Sequence, residues 1–393
     1  MLFLVGLYFL IKSSDVFIEK VSAIARHFGV SDFIIGLTLV AVGTSLPELA
    51  SSIMASIQNE SNIIMGNVVG SNIANIGLIL GLAAVVRPIL TREVILKRDG
   101  FILLFVSMLL CGFTYYFGYI GIVAGIIFLF IYLSYVLFLL HYGDCPEGKA
   151  FFTHFLKYTL TLQHISTLKS SVSRKETGKD TARNRDDNIC SSSENRDKKN
   201  RAEARKEKEN NTKLKEKGGE AIIKEGRLGD TKEGEEKKEK EEPLWKLFLF
   251  TAISLSVVIG SSYLLIYSAV GIAESLEIPS VIIGITMIAV GTSLPELSVS
   301  IAAARKNAGD IVIGNVMGSN IANILLILGV SGLLRPVGVD NVILYVALPM
   351  MILITVAMLL FTWTGWRIVR SEGILFFVIY AVTIGLTIYY TAT

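Results

Sequence analysis

Two carboxylates stand where charge is costly. Glu48 lies within "IIGLTLVAVGTSLPELASSIMA" and Glu296 within "IIGITMIAVGTSLPELSVSIAA", each about midway along an apolar stretch and each directly after a proline. An acid at the centre of a membrane helix costs about 2.5–3.5 kcal/mol on insertion scales, so such residues face an internal cavity and act there. Pro47 and Pro295 donate no backbone hydrogen bond, and each frees a carbonyl one turn earlier, at Gly43 and Gly291. Those carbonyls, with their neighbours at Ala41 and Ala289, become available as oxygen ligands. Thr44, Ser45, Thr292 and Ser293 add hydroxyls. One turn thus carries a carboxylate, hydroxyls and bare carbonyls, and it occurs twice.

A second motif follows each of these: "GNVVGSNIAN" at Gly66–Asn75 and "GNVMGSNIAN" at Gly314–Asn323. Its glycines permit close helix approach. Ser71 and Asn75, like Ser319 and Asn323, are four apart and share one helical face. Interhelical hydrogen bonding is the rival role for these four residues, and Asn67 and Asn315 read equally as ligands or helix caps. Taken together the motifs offer an all-oxygen set with two negative charges, which suits a hard divalent cation such as Ca²⁺. Neither motif contains His or Cys, which disfavours Zn²⁺ and Cu⁺.

The elements that must position these groups are helices in a membrane. Hydrophobic residues make up 52% of the 393-residue chain and charged residues 18%. Of 37 Lys and Arg, 23 fall between Lys157 and Glu242, as do 19 of 34 Asp and Glu. The remainder breaks into apolar runs of about 17–25 residues, the length that spans ~30 Å of hydrocarbon as a helix. Five segments are expected per half, at 1–24, 32–57, 62–86, 100–116 and 119–141, then at 245–272, 280–304, 310–334, 341–362 and 372–391. The expected fold class is an all-α polytopic membrane protein with ten transmembrane helices.

The halves are copies. A shift of 248 residues aligns Gly36–Pro88 with Gly284–Pro336, and 32 of those 53 positions are identical. An odd number of crossings per half forces the two five-helix repeats into opposite orientations. Charge gives the same answer. Arg26, Arg87, Arg92, Lys97, Arg98, Arg305, Lys306, Arg367 and Arg370 fall in turns on one side, and Arg335 stands almost alone on the other. The first side is therefore cytoplasmic, with both termini outside. Inverted repeats characterise secondary transporters, whose substrate site lies near the midplane between the repeats.

The expected domains are a first membrane repeat at 1–144, a charged loop at 145–243 and a second membrane repeat at 244–393. The loop has too little apolar residue to offset the entropy of ordering and is expected to be a disordered cytoplasmic tether. Its acids and bases alternate nearly one for one, so no nucleic acid is expected as a partner. Cys111, Cys145 and Cys190 show no paired spacing, and "MLFLVGLYFLI" lacks a basic start and a cleavage site.

The paired "GTSLPEL" and "GNVxGSNIAN" blocks resemble the two signature repeats of the Ca²⁺/cation antiporter superfamily, specifically the archaeal and bacterial Na⁺/Ca²⁺ exchangers. The resemblance covers both membrane halves and leaves out the loop. It implies ion sites between the second, third, seventh and eighth helices, with Glu48 and Glu296 as central Ca²⁺ ligands. It also implies that Ala41, Ala289, Thr44, Thr292, Ser45, Ser293, Ser71 and Ser319 line the Na⁺ and Ca²⁺ sites, with Asn75 as an amide ligand. Asn323 is a departure, because several relatives carry Asp there; the site charge then rests on the two glutamates. The first and sixth helices are expected to slide against the rest, giving alternating access driven by the Na⁺ gradient.

The expected function is a plasma-membrane antiporter that exports Ca²⁺ in exchange for Na⁺. Its substrates are these two ions, it uses no cofactor, its surroundings are the lipid bilayer, and a monomer is the expected transport unit. Exchange against H⁺, or with a K⁺ requirement, is the rival within the class. A channel is disfavoured because filters generally come from oligomeric symmetry rather than repeats within one chain. An enzyme with Ser45 or Ser293 as nucleophile lacks a base, since His27, His141, His154 and His164 lie at segment ends or in the loop.

Overall fold

The computed structural model describes residues 1–27, 45–142, 155, 156, 159 and 243–392. Ala41, Gly43 and Thr44, the N-terminal part of the expected 32–57 segment and nearly all of the charged loop lie outside the described residues. The unit treated below comprises Met1–Gly143, Gly148–Ser166 and Pro243–Thr393.

Helix α1 runs over Leu2–His27 and α2 over Leu46–Ile57. Helix α3, Ser61–Val86, leads through strand β1 (Ile89–Leu90) to α4, Leu96–Phe117. Strand β2 (Tyr119–Ile120) then precedes α5, Ile122–Tyr142. The second half repeats the order: α6 (Leu244–Ser275), α7 (Ser280–Thr292), α8 (Leu294–Arg305), α9 (Gly309–Leu334), β3 (Val337–Gly338), α10 (Ile343–Gly365), β4 (Arg367–Ile368) and α11 (Arg370–Ala392). Seven helices are long and apolar enough to span a membrane: α3, α4, α5, α6, α9, α10 and α11. The pair α7 and α8, bent by 47° at Ser293, makes an eighth if it is one span. Helix α1 is as long but carries Lys12, Asp15, Glu19 and Lys20.

The 248-residue correspondence extends to the backbone. Helices α2 and α8 begin at Leu46 and Leu294, and each ends before an asparagine in the left-handed conformation, Asn59 (φ 67°) and Asn307 (φ 59°). Asparagine tolerates that cap better than other non-glycine residues. Both α3 and α9 widen into a π turn at the matching asparagine, Asn75–Leu80 and Asn323–Ile327. Such turns recur at functional sites.

The halves interlock by exchange. Strand β1 pairs antiparallel with β4, and β2 with β3, so each half supplies one strand to each ladder. These four two-residue strands are a small addition to a mostly helical structure, and runs so short leave no periodicity to read. Glycines show the same exchange. A Cβ on Gly373 would sit 2.7 Å from Gly81 O, and one on Gly125 would sit 2.8 Å from Gly329 O, which brings α11 against α3 and α5 against α9. In the most apolar stretch of α3, 83% of residues are buried, and in α9 72%, against 22% in α11. The two helices carrying the asparagine motif therefore form the centre. Tyr115, Tyr116, Trp245, Trp363, Tyr389 and Tyr390 are exposed near helix ends, where amphipathic rings suit a membrane interface.

Candidate ion-binding site

The break in the GTSLPE motif falls on its serine. Helix α7 stops at Thr292, Ser293 takes φ −85° and ψ 9°, and α8 starts at Leu294. Ser45 takes nearly the same angles, φ −87° and ψ 9°, before α2. Proline then sits in the first turn of each new helix, where a missing N–H breaks no helical bond. Glu48 and Glu296 also occupy these first turns, at the positive end of each helix dipole, which favours a carboxylate. Both are 1% exposed.

The two motifs meet crosswise. Ser293 Oγ donates to Glu48 Oε1 at 2.9 Å, and Ser45 Oγ donates to Glu296 Oε1 at 3.4 Å. Each kink is held by the following motif. Asn67 Nδ2 donates to Glu48 O (3.4 Å) and Ser52 Oγ (3.0 Å); Asn315 Nδ2 donates to Glu296 O (3.3 Å) and Ser300 Oγ (3.1 Å). Asn67 and Asn315 are thus neither plain caps nor bare ligands: they clasp a carbonyl and a hydroxyl of the neighbouring helix.

Close backbone approach places the rest. A Cβ on Gly70 would lie 2.7 Å from Ile285 Cα and O, and one on Gly66 would lie 2.8 Å from Val281 O. This GxxxG face seats α3 on α7 and brings Ser71 Oγ to Ala289 O at 3.5 Å. Ala289 O also accepts the Ser293 amide at 3.2 Å, so a ligand there would share it with the long Ser71 and Thr292 hydroxyl contacts. Thr292 Oγ1 donates to Ile288 O (2.9 Å) and Asn67 Oδ1 (3.3 Å). Ser319 Oγ donates to Asn315 O (2.7 Å) and accepts from Asn75 Nδ2 (3.2 Å).

Ten sequence-predicted site residues are described, and hydrogen bonds tie them into one buried cluster: Ser45, Glu48, Ser71, Asn75, Ala289, Thr292, Ser293, Glu296, Ser319 and Asn323. Among the described residues, three oxygens in it are buried without a donor: Glu48 Oε2, Asn75 Oδ1 and Asn323 Oδ1. A buried acceptor with no donor costs about 1–3 kcal/mol. All three lack a positive partner, which one cation would supply. No group of three or more His, Cys, Asp or Glu that could hold a metal ion occurs among the described residues, and the acids among the ten clustered residues are Glu48 and Glu296. The sequence reading passed over Asn72, Asn320, Ser52 and Ser300; their signal was identity in both repeats.

A family profile described as sodium/calcium exchanger protein matches residues 1–141 and 246–389. The chain belongs to this family. Among sodium/calcium exchangers, MaX1 of Methanosarcina acetivorans is 41% identical over 380 residues, covering 97% of this chain and 95% of that protein. An uncharacterised membrane protein of Methanocaldococcus jannaschii is 31% identical over 389 residues, covering 97% and 95%. A solved structure of the sodium-calcium exchanger NCX_Mj, soaked with zero Na⁺ and Ca²⁺, aligns over 98% of this chain and 97% of its own, with 27% identity and a TM-score of 0.53. Both family-matched spans of this exchanger-family chain contribute to the cluster, with Ser45, Glu48, Ser71 and Asn75 from the first and the other six residues from the second.

Proposed function

We propose that this protein is a secondary antiporter that moves Ca²⁺ out across the plasma membrane in exchange for Na⁺. The observation that carries this reading is the trio of buried, donor-free oxygens on Glu48, Asn75 and Asn323 inside an all-oxygen cluster. Two carboxylates balance one Ca²⁺, and the hydroxyls and amides complete the six to eight oxygens that ion takes. Na⁺ competes for the same oxygens at lower charge. Glu48, Glu296, Asn75 and Asn323 bind Ca²⁺ at the centre, and Ser45, Ser71, Ala289, Thr292, Ser293 and Ser319 line the flanking Na⁺ positions. Ala41 and Thr44 join them as the repeat counterparts of Ala289 and Thr292. No bond is made or broken in the substrate; occupancy gates the conformational switch.

The architecture we infer is ten membrane helices in two inverted five-helix repeats, with both termini outside, residues 145–243 cytoplasmic and a monomer as the transport unit. End contacts support the inversion. Arg87 Nη1 donates to Arg305 O, and Arg92 Nε pairs with Asp310 Oδ2 at 2.6 Å, at helix ends that the charge pattern puts inside. Arg335 Nη1 donates to Asn59 Oδ1, at ends it puts outside.

The test is Ca²⁺ uptake into proteoliposomes under separately imposed Na⁺, H⁺ and K⁺ gradients. Uphill uptake that follows the Na⁺ gradient alone is the expected result. Uptake that follows the pH gradient alone overturns the coupling ion. A K⁺ requirement makes the protein a K⁺-dependent exchanger.

A further inference from the structure

We propose that Asn72 and Asn320, which lie outside the ligand set above, are positioning residues that set which end of the Asn75 and Asn323 amides faces the cation. The inference rests on the site assigned above. A primary amide has an acceptor end and a donor end, and a half-turn exchanges them. Oδ1 attracts a cation and Nδ2 repels it, so a neutral amide serves as a ligand only while its orientation is fixed.

The fixing contacts form a buried network between α3 and α9. Asn75 Nδ2 donates to Asn320 Oδ1 at 2.9 Å as well as to Ser319 Oγ. Asn323 Nδ2 donates to Asn72 Oδ1 at 3.2 Å. With Nδ2 occupied in both cases, Oδ1 is the end left without a donor among the described residues. The positioning pair is itself anchored. Asn320 Nδ2 donates to the Asn72 carbonyl at 3.3 Å, and Asn72 Nδ2 rests on Met351 Sδ at 3.6 Å. All four amides are 1% exposed or less, so no solvent competes for these bonds. The arrangement is reciprocal: the asparagine three residues before one ligand holds the ligand of the other half.

The test is a mutant cycle on Na⁺-driven uptake of radiolabelled Ca²⁺ by the full chain in proteoliposomes, using wild type, Asn72→Ala, Asn323→Asp and the double variant. Asn72→Ala is expected to raise half-saturating Ca²⁺ by about tenfold, as the loss of partners behind metal ligands does, with the maximum rate retained. In the Asn323→Asp background the same change is expected to act by less than about twofold, because a carboxylate presents oxygen at both ends. An equal factor in both backgrounds, or a loss of maximum rate at unchanged half-saturation, overturns the positioning role. If Asn323→Asp alone leaves half-saturation unchanged, Asn323 is no ligand and the site assignment falls with the inference. Should Asn72→Ala fail to fold, the reciprocal cycle of Asn320→Ala with Asn75→Asp is expected to give the same pattern and is overturned by the same results.

Discussion

Ser293 and Glu48 are joined across the two halves, hydroxyl to carboxylate, at 2.9 Å, and Ser45 with Glu296 forms the matching pair. Each GTSLPE motif therefore supplies a serine hydroxyl to the other's carboxylate. Removing either charge should disable the whole cluster. Glu48→Gln and Glu296→Gln are each expected to bring Na⁺-driven Ca²⁺ uptake down to that of empty vesicles. Wild-type rates in either variant would sink the site assignment.

The hydroxyl partners should have graded effects. A hydrogen bond to a charged group is worth about 1.5–3 kcal/mol. Ser293→Ala is expected to raise half-saturating Ca²⁺ by about tenfold. Ser45→Ala acts through a longer contact and should shift it less. Dose-response curves for the two variants check that order.

Gly70 is seated on the backbone of α7 with no room for a methyl group. Overpacking of this kind costs about 1–3 kcal/mol. Gly70→Ala should lower Tm in detergent by about 2–8 °C and reduce uptake with it. Unchanged thermal unfolding would contradict the close α3–α7 approach.

Glu60, beyond the end of α2, shares a cavity of about 690 Å³ with Glu274 and Gln58. Burial, and then the like charge of Glu274, push its carboxyl above the ordinary value of 4.5. The folded state thus holds this proton more tightly than the unfolded chain. Stability is complete below the ordinary value and falls as pH rises through the raised one. Glu60→Gln removes that loss. Its Tm should exceed wild type by about 1 °C at neutral pH and above, and the difference should vanish at low pH. A gain that persists in acid would point to another cause.

Much of the site was legible because polar identity stands out in apolar sequence. Glu48 and Glu296 had no other reason to be where they are, and their neighbours recurred at a constant offset. Asn75 and Asn323 were legible as one face with Ser71 and Ser319, whereas Asn72 and Asn320 did not stand out. Asn72 and Asn75 look equivalent as letters, and only the crossing of α3 with α9 distinguishes their hydrogen-bond partners. The contacts that do this join residues 245 and 251 apart, beyond any local pattern. The π turns left no trace either, since "NIGLIL" and "NILLI" read as ordinary helix. Where both ends are described, the expected segment limits fell within a few residues of those observed because length and hydropathy control them, although the expected 280–304 segment is two helices bent at Ser293. The strand pairs were missed because tertiary proximity alone produces them.

The exchanged strands and reciprocal glycine crossings mean that covalent continuity does little to hold the halves together. A chain cut between Ser166 and Pro243 would leave each polypeptide with one strand of each ladder and one partner of each glycine crossing. Duplication and fusion of an ancestral half would leave this kind of seam, in which each half pairs its edges with those of the other.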